Sequence, residues 1–171
     1  IALRSFLKYL VKQDIKSLAA EKIELAKTGD RQVSFLEGDD LERFLNAPVK
    51  SGDKSVIAYR DKAILELLFS TGLRVSELAS LQTTSINLKK EEFTIRGKGD
   101  KLRIVFLSPP AKMWIEQYLA KRGDAPGPLF VRYDRAGKRT STVKGLTPRS
   151  IQRLVDRGAL EAGITKKITP H

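Results

Sequence analysis

The chain has 171 residues, 41% of them apolar and 30% charged, which is typical of a folded globular protein and argues against a disordered chain. It has no cysteine and one histidine, so disulfides, thiolate metal sites and histidine zinc sites have no basis, and no apolar stretch is long enough to span a bilayer. Thirty-two Lys and Arg against twenty Asp and Glu give a net charge of +12, which favours a polyanionic partner such as nucleic acid over a solvated basic surface.

The N-terminal residues predict a helix followed by a linker. Apolar residues recur at helical spacing over residues 3–11, whereas residues from about 13 to 32 are rich in charge and weakly periodic. The start lacks the layout of a signal peptide, and the absence of cysteine fits a cytoplasmic protein best. We expect residues 1–13 to be the last helix of a preceding domain, residues 14–33 to be a linker that holds at most one helical turn, and residues 34–171 to be the main domain.

Three helices are predicted next. Residues 34–37 match the capping-box pattern, and the apolar residues over 41–45 form one face of a short helix. A wide apolar stripe over residues 59–70 predicts a core helix, and Gly72 suits a left-handed C-cap. A further helix is expected over residues 75–81.

A β-hairpin with a basic tip follows these helices. Residues 85–88 and 92–96 have the composition of strands, and residues 103–107 predict another strand. Between them, residues 97–100 (GKGD) have the glycine-flanked sequence of a turn. The expected sheet is therefore a hairpin or a three-stranded antiparallel sheet.

Two more helices and a short strand complete the predicted elements. Pro109 begins one helix, residues 129–133 predict a strand, and Thr147 caps a helix that runs to about Ala162. Residues 169–171 repeat the Thr-Pro start signal, so we expect the chain to continue beyond this point. The elements together predict a mainly α-helical α+β fold, a helical bundle with a small sheet.

Arg74 and Glu77 are the first candidate site residues. Residues three apart share one face of a helix, so the two side chains can lie close together. An arginine at a helix N-terminus adjoins free backbone amides and the positive end of the dipole, and its planar fork suits two phosphate oxygens. The alternative interpretation is a surface ion pair on an ordinary helix.

Lys98 and His171 are the other candidates. Lys98 lies between two glycines at the predicted hairpin tip, where it could donate a proton to a leaving oxygen, although a solvated turn is the alternative. A lone histidine such as His171 is usually structural or simply exposed.

These features occur in the order found in one known family. Residues 71–78 (TGLRVSEL) resemble the first-arginine motif of the tyrosine recombinases, particularly their Xer-type branch. Residues 97–103 (GKGDKLR) resemble the catalytic-lysine hairpin of that branch, and residues 146–164 its later DNA-contacting helix. Residues 169–171 resemble the opening of its His-x-x-Arg box. The resemblance covers the chain from Ser34 onward and implies an incomplete recombinase catalytic-domain fold, preceded by the last helix of a core-binding domain.

The resemblance implies a role for each matching residue. Arg74 would grip the non-bridging oxygens of the scissile phosphate, and Glu77 would be the accessory acid that steadies the site. Lys98 would be the general acid toward the leaving 5′-oxygen, with Lys101 as the runner-up. His171 would be the histidine of the His-x-x-Arg box. The residues expected to bind DNA are Lys101, Arg103, Arg149 and Arg153.

The resemblance also implies the reaction. A tyrosine attacks phosphorus and leaves a 3′-phosphotyrosine link and a free 5′-hydroxyl, and a 5′-hydroxyl of another strand reverses the step without a cofactor. The implied partners are double-stranded DNA and other protomers in a tetramer. The family's nucleophile follows His171 in sequence, so we expect these 171 residues alone to be inactive, because all four tyrosines precede it: Tyr9, Tyr59, Tyr118 and Tyr133.

Two other interpretations remain open from the sequence. A non-enzymatic DNA-binding or architectural module, including an inactive relative of the recombinases, would carry the same basic helices and hairpin. A basic RNA-binding protein is less favoured, because no aromatic RNA-binding motif is visible.

Overall fold

The computed structural model describes residues 2–25, 35–97, 101–123, 126–133 and 143–170. Contacts within the chain divide it into two units, Ile1–Ser34 and Phe35–His171. The first unit contains helix α1 (Ala2–Lys12) and a short 3-10 helix (Ala20–Lys22). Arg4 Nε donates a hydrogen bond of 3.1 Å to the carbonyl of Ala20 and joins the two. Helix α1 confirms the prediction made from its periodicity.

The second unit contains the other helices predicted from the sequence. They are α2 (Gly38–Asn46), α3 (Val56–Thr71), α4 (Val75–Ser80), α5 (Pro109–Arg122) and α6 (Pro148–Glu161), with 3-10 helices at Ala47–Val49 and Thr83–Ser85.

Local capping explains where three of these helices begin. The side chains of Ser55, Ser108 and Thr147 each accept a hydrogen bond from a backbone amide of the first turn. Gly72 ends α3 at φ 59°, which confirms the predicted left-handed cap. The capping-box prediction at residues 34–37 is wrong, because α2 begins only at Gly38 and Glu37, the expected N3 residue, has the extended backbone of an N-cap (φ −125°, ψ 151°).

The sheet has two antiparallel strands in the described part of the chain. Strand β1 (Glu92–Arg96) pairs with β2 (Leu102–Phe106), with Glu92 opposite Phe106 and Arg96 opposite Leu102. The amide of Gly97 donates to the carbonyl of Lys101 at 2.8 Å, which closes the hairpin beyond the last strand pair. Of the two alternatives that the sequence left open for this sheet, a hairpin or three strands, the structure has the hairpin.

Two predicted strands are absent from the described residues. At residues 85–88 the chain forms the end of a 3-10 helix and then a turn, because the Asn87 side chain accepts from the amides of Lys89 and Lys90. At residues 129–133 only isolated bridges form. There, the backbone groups of Val131 form hydrogen bonds with side chains in place of a neighbouring strand. Its amide donates to Tyr118 Oη, and its carbonyl accepts from Arg60.

Helix α3 lies in the centre of the second unit. Its apolar residues are buried against α5 and the sheet, which confirms the predicted core helix. It also buries four charged side chains that its apolar stripe did not reveal: Arg60, Asp61, Lys62 and Glu66. Each lies near an opposite charge, so the burial does not leave an isolated ion. Within the described ranges, no helix combines the length and the apolar character needed to cross a membrane.

Candidate phosphate-binding site

The junction of α3 and α4 positions the first candidate arginine. Gly72 turns the chain out of α3, and the buried Leu73 anchors the connection in the core. Arg74 then occupies the N-cap of α4 with extended backbone angles, φ −68° and ψ 148°. Its side chain is 55% exposed. Gly72 and the buried Leu73 thus place the guanidinium-bearing residue Arg74 at the start of α4.

Glu77 holds Arg74 at two points. Its Oε2 accepts from the backbone amide of Arg74 at 2.9 Å, and its Oε1 accepts from Arg74 Nη1 at 2.8 Å. The first contact is the part of a capping box that the N3 carboxylate supplies. The Glu77 side chain is only 9% exposed, so the carboxylate lies beneath the guanidinium. The spacing therefore brings the two predicted residues together as expected.

Arg103 is a third member of this cluster. Its Nη2 donates to Oε2 of Glu77 at 2.9 Å across 26 positions of sequence, and its side chain is 42% exposed. The sequence indicated Arg103 only as a DNA-binding residue. The strand pattern carried no signal for this contact, because the more apolar face of β2, with Leu102, Ile104 and Phe106, is the exposed one.

The charges around Glu77 set its ionisation. Loss of solvent raises the pKa of this carboxyl, but the amide and guanidinium of Arg74 and the charge of Arg103 outweigh that effect and lower the pKa below its usual value of 4.5. Glu77 is therefore ionised at neutral pH, and the two arginines and one carboxylate sum to one positive charge. A site of this kind can bind an anion such as a phosphate.

The hairpin approaches the cluster at Gly97. A Cβ atom built on Gly97 would lie 3.7 Å from Glu77 Oε1 and 3.9 Å from Arg74 Nη1. Lys98, the predicted general acid, follows Gly97 directly in the sequence but lies outside the described residues. The runner-up, Lys101, has an exposed side chain, and its carbonyl accepts from the Gly97 amide at 2.8 Å.

The last described residues come close to the same helix junction. Thr169 and Pro170 line a pocket of about 270 Å³ whose wall also includes Gly72, two positions before Arg74. The remaining wall is apolar and comes from α2, α3, α6 and Ile168. His171 follows Pro170 and lies outside the described residues. The chain segments that precede Lys98 and His171 therefore both lie near the α3–α4 junction.

The basic residues of α6 are a second group of candidate DNA-binding residues. Arg149 and Arg153 are exposed and four residues apart, so they share one face of the helix. Arg153 lines a pocket of about 190 Å³ with Arg60 and Arg157. Here Arg157 Nη2 also pairs with the buried Asp61 at 2.7 Å, which ties α6 to α3. In the described parts of the chain, no three His, Cys, Asp or Glu side chains gather as metal ligands.

The tyrosines of this unit serve the packing of the core. Tyr118 is fully buried, and burial raises the pKa of its phenol further from neutrality. Tyr59 packs edge-on against Trp114 at 5.4 Å between ring centroids, and Tyr133 lies under the guanidinium of Arg60. None of these three forms a hydrogen bond or ring contact with Arg74 among the interactions of the described residues.

Known proteins resemble the chain over nearly its whole length. The model of the phage integrase family matches residues 34–171. Tyrosine recombinase XerC of Thermodesulfovibrio yellowstonii is 37% identical over 179 residues, and XerC of Myxococcus xanthus is 35% identical over 182 residues. Both alignments cover 99% of this chain and 56% of the relative. The chain thus spans about half the length of the curated relatives that it matches.

Solved structures agree with these relatives. The XerA recombinase superposes with a TM-score of 0.67 at 27% identity, covering 95% of this chain and 54% of that one. XerH site-specific recombinase, in a post-cleavage complex with palindromic difH substrate, gives 0.70 at 26% identity, covering 99% and 49%. These matches confirm the resemblance and the fold class expected from the sequence. The chain therefore belongs to the phage integrase family and is a relative of the Xer-type tyrosine recombinases.

Proposed function

We propose that the protein is a site-specific DNA recombinase that cuts and rejoins DNA through a 3′-phosphotyrosine intermediate. The observation that carries the proposal is the cluster of Arg74, Glu77 and Arg103, two half-exposed guanidiniums that share one buried carboxylate. The relatives named tyrosine recombinases and the XerH structure in complex with its substrate support it. In this proposal, residues 1–13 end a core-binding domain, residues 14–33 form a linker and residues 34–171 belong to the catalytic domain.

Arg74 would bind the scissile phosphate. In the proposed reaction, negative charge grows on the non-bridging oxygens as the tyrosine attacks phosphorus. A guanidinium already held by Glu77 needs little reorganisation to meet that charge, because one hydrogen bond holds the guanidinium and a second holds the backbone amide of the same residue before DNA arrives. The net positive charge of the cluster favours the same step.

The other proposed roles belong to residues of the hairpin, of α6 and of the C-terminal segment. Lys98 would donate the proton that the leaving 5′-oxygen takes up, with Lys101 as the alternative donor. His171 would be the histidine of the His-x-x-Arg box. The residues proposed to bind the DNA duplex are Lys101, Arg149 and Arg153, whereas Arg103 pairs with Glu77 within the cluster. Capture of the strand as a phosphotyrosine conserves the bond energy, so the proposal includes no nucleotide cofactor.

The proposed partners are double-stranded DNA and further protomers of the same protein. The net charge of +12 supports attraction to the DNA backbone. Among the similar folds is a lambda integrase tetramer bound to a Holliday junction, which shares the fold at 16% identity. A tetramer on two duplexes and action on DNA in the cytoplasm are parts of the proposal for this protein.

A covalent capture experiment tests the proposed chemistry. A duplex site would be selected from a random pool by binding to the full-length protein, and nicked versions would then be incubated and run on a denaturing gel. We expect a protein–DNA band for the full-length protein, and a loss of about 100-fold or more in its rate for Arg74→Ala with little change in affinity. Binding without any covalent band from the full-length protein would instead indicate an architectural DNA-binding module.

We further propose that a polypeptide of residues 1–171 binds DNA without cleaving it. None of its tyrosines follows His171, and those of the second unit pack within the core or beneath Arg60. The same gel tests this, since a shifted band from the 171-residue polypeptide would contradict it.

A further inference from the structure

One ion pair links the β-hairpin to the start of α4. Arg103 on β2 reaches Oε2 of Glu77 at 2.9 Å, on the same carboxylate that holds Arg74. Two sequence-distant segments are thus joined through a side chain that is 9% exposed. Because β2 and β1 share five residue pairs, a contact made by Arg103 constrains the whole hairpin, including Gly97 beside the cluster.

The geometry of Arg103 favours an indirect role over a simple DNA contact. Its Nη2 is committed to Glu77, and its position opposite Ile95 lies inside the hairpin ladder rather than at the tip. The side chain is 42% exposed, so what distinguishes Arg103 is its partner and not a loss of its guanidinium from solvent. Arg103 shares the carboxylate that orients the candidate catalytic arginine.

We propose that Arg103 is a positioning residue for DNA cleavage, which acts through Glu77 by holding the lysine-bearing hairpin against Arg74. The inference rests on the proposed recombinase function. Without Arg103, Glu77 keeps its bonds to Arg74, but the hairpin loses its charged anchor at this point. The general acid that the hairpin carries would then sample positions away from the leaving oxygen, and proton transfer requires hydrogen-bond distance.

The first test uses the full-length protein and single-turnover cleavage of prebound nicked site. We expect Arg103→Ala to slow cleavage by roughly 10- to 100-fold while DNA affinity changes by less than about 3-fold. Arg103→Lys keeps the charge and should recover part of the rate. The matched control is Lys112→Ala, which removes one positive charge and an ion pair of the same 2.9 Å length, between α5 and Glu91 at the base of the hairpin.

A double-mutant cycle then asks whether Arg103 works through Glu77. If it does, Arg103→Ala combined with Glu77→Gln will cleave no more slowly than the slower single variant. Losses that multiply would overturn the proposal, because they would mean that the two residues act independently. A fall in affinity for Arg103→Ala, with unchanged cleavage by the bound complex, would also overturn it and assign Arg103 to DNA binding.

A modified substrate separates positioning from general loss of structure. DNA with sulfur in place of the bridging 5′-oxygen has a leaving group that needs no proton. Cleavage of this substrate by Arg103→Ala should recover at least about 10-fold relative to oxygen DNA, as it should for a variant lacking the general acid, whereas Arg74→Ala should not recover. Absence of recovery for Arg103→Ala would overturn the proposal. A wild-type protein that cleaves neither substrate would contradict the recombinase function itself.

Discussion

Glu77 binds the backbone amide and the guanidinium of the same residue, Arg74, through its two carboxylate oxygens. This double contact fixes both the helix start and the direction of the arginine. A lysine at position 74 would keep the charge and the amide contact but would lose the planar fork. We therefore expect Arg74→Lys in the full-length protein to lose about 100-fold or more in cleavage rate, with DNA affinity nearly unchanged, as measured by single-turnover assays. Equal losses of rate and affinity would mean that Arg74 only holds DNA.

The lowered pKa of Glu77 predicts a pH dependence of stability. A carboxyl whose pKa is lower in the folded chain stabilises it at pH above the unfolded value of 4.5, and this contribution is lost as the pH falls through the folded pKa. The difference in the free energy of unfolding between wild type and Glu77→Gln should therefore be constant near neutral pH and shrink below 4.5. Urea unfolding of the 171-residue polypeptide at a series of pH values measures it. A difference that stays level under acid conditions would show that the pKa is not lowered.

Asp61 predicts a large effect on stability. Its side chain is 3% exposed and binds Arg60 at 2.6 Å and Arg157 at 2.7 Å, so its removal leaves two guanidiniums without their carboxylate. Breaking a buried pair on one side typically costs about 3–5 kcal/mol. We expect Asp61→Ala to lose a free energy of unfolding of this order in urea titrations. Asp156→Ala, which removes an exposed carboxylate from α6, is the control and should change it by less than about 0.5 kcal/mol.

The two exposed arginines of α6 predict a change in salt dependence. If Arg149 and Arg153 each neutralise a phosphate, replacing either with Ala should weaken duplex binding on all sequences and reduce the slope of log affinity against log salt by about 1. Lys112→Ala serves as the control for loss of one charge elsewhere on the surface. Affinities measured by fluorescence anisotropy at several salt concentrations give the slope. Unchanged slopes for both α6 variants would show that these two arginines do not neutralise DNA phosphates.

Local signals predicted most of the helices because their causes are local. The Thr147 cap of α6, the Ser-Pro start of α5 and the left-handed Gly72 each depend on residues within one turn. The strand expected at residues 85–88 was wrong for an equally local reason. The Asn87 side chain accepts two backbone amides and makes a turn, a competition that composition alone did not reveal.

The cluster around Glu77 could be predicted only in part. The contact with Arg74 spans three positions on one helix and follows from spacing. The contact with Arg103 spans 26 positions and depends on how the hairpin packs against α4, which no local pattern specifies. The burial of Asp61 between Arg60 and Arg157 was missed for the same reason, since Arg157 comes from a helix 96 positions later.

The charged side chains inside α3 limit how this helix can pack. Lys62 lies 2.5 Å from Glu66 and 2.8 Å from Asn46, while Asp61 on the neighbouring position meets Arg157 of α6. A helix with only apolar side chains could rotate about its axis and bury a different apolar face at a small cost in free energy. Rotation of α3 would instead bury a charged side chain without its partner, so only one orientation about the helix axis satisfies all these ion pairs. That orientation also fixes the direction in which the chain leaves α3 at Gly72, and hence where Arg74 begins the next helix.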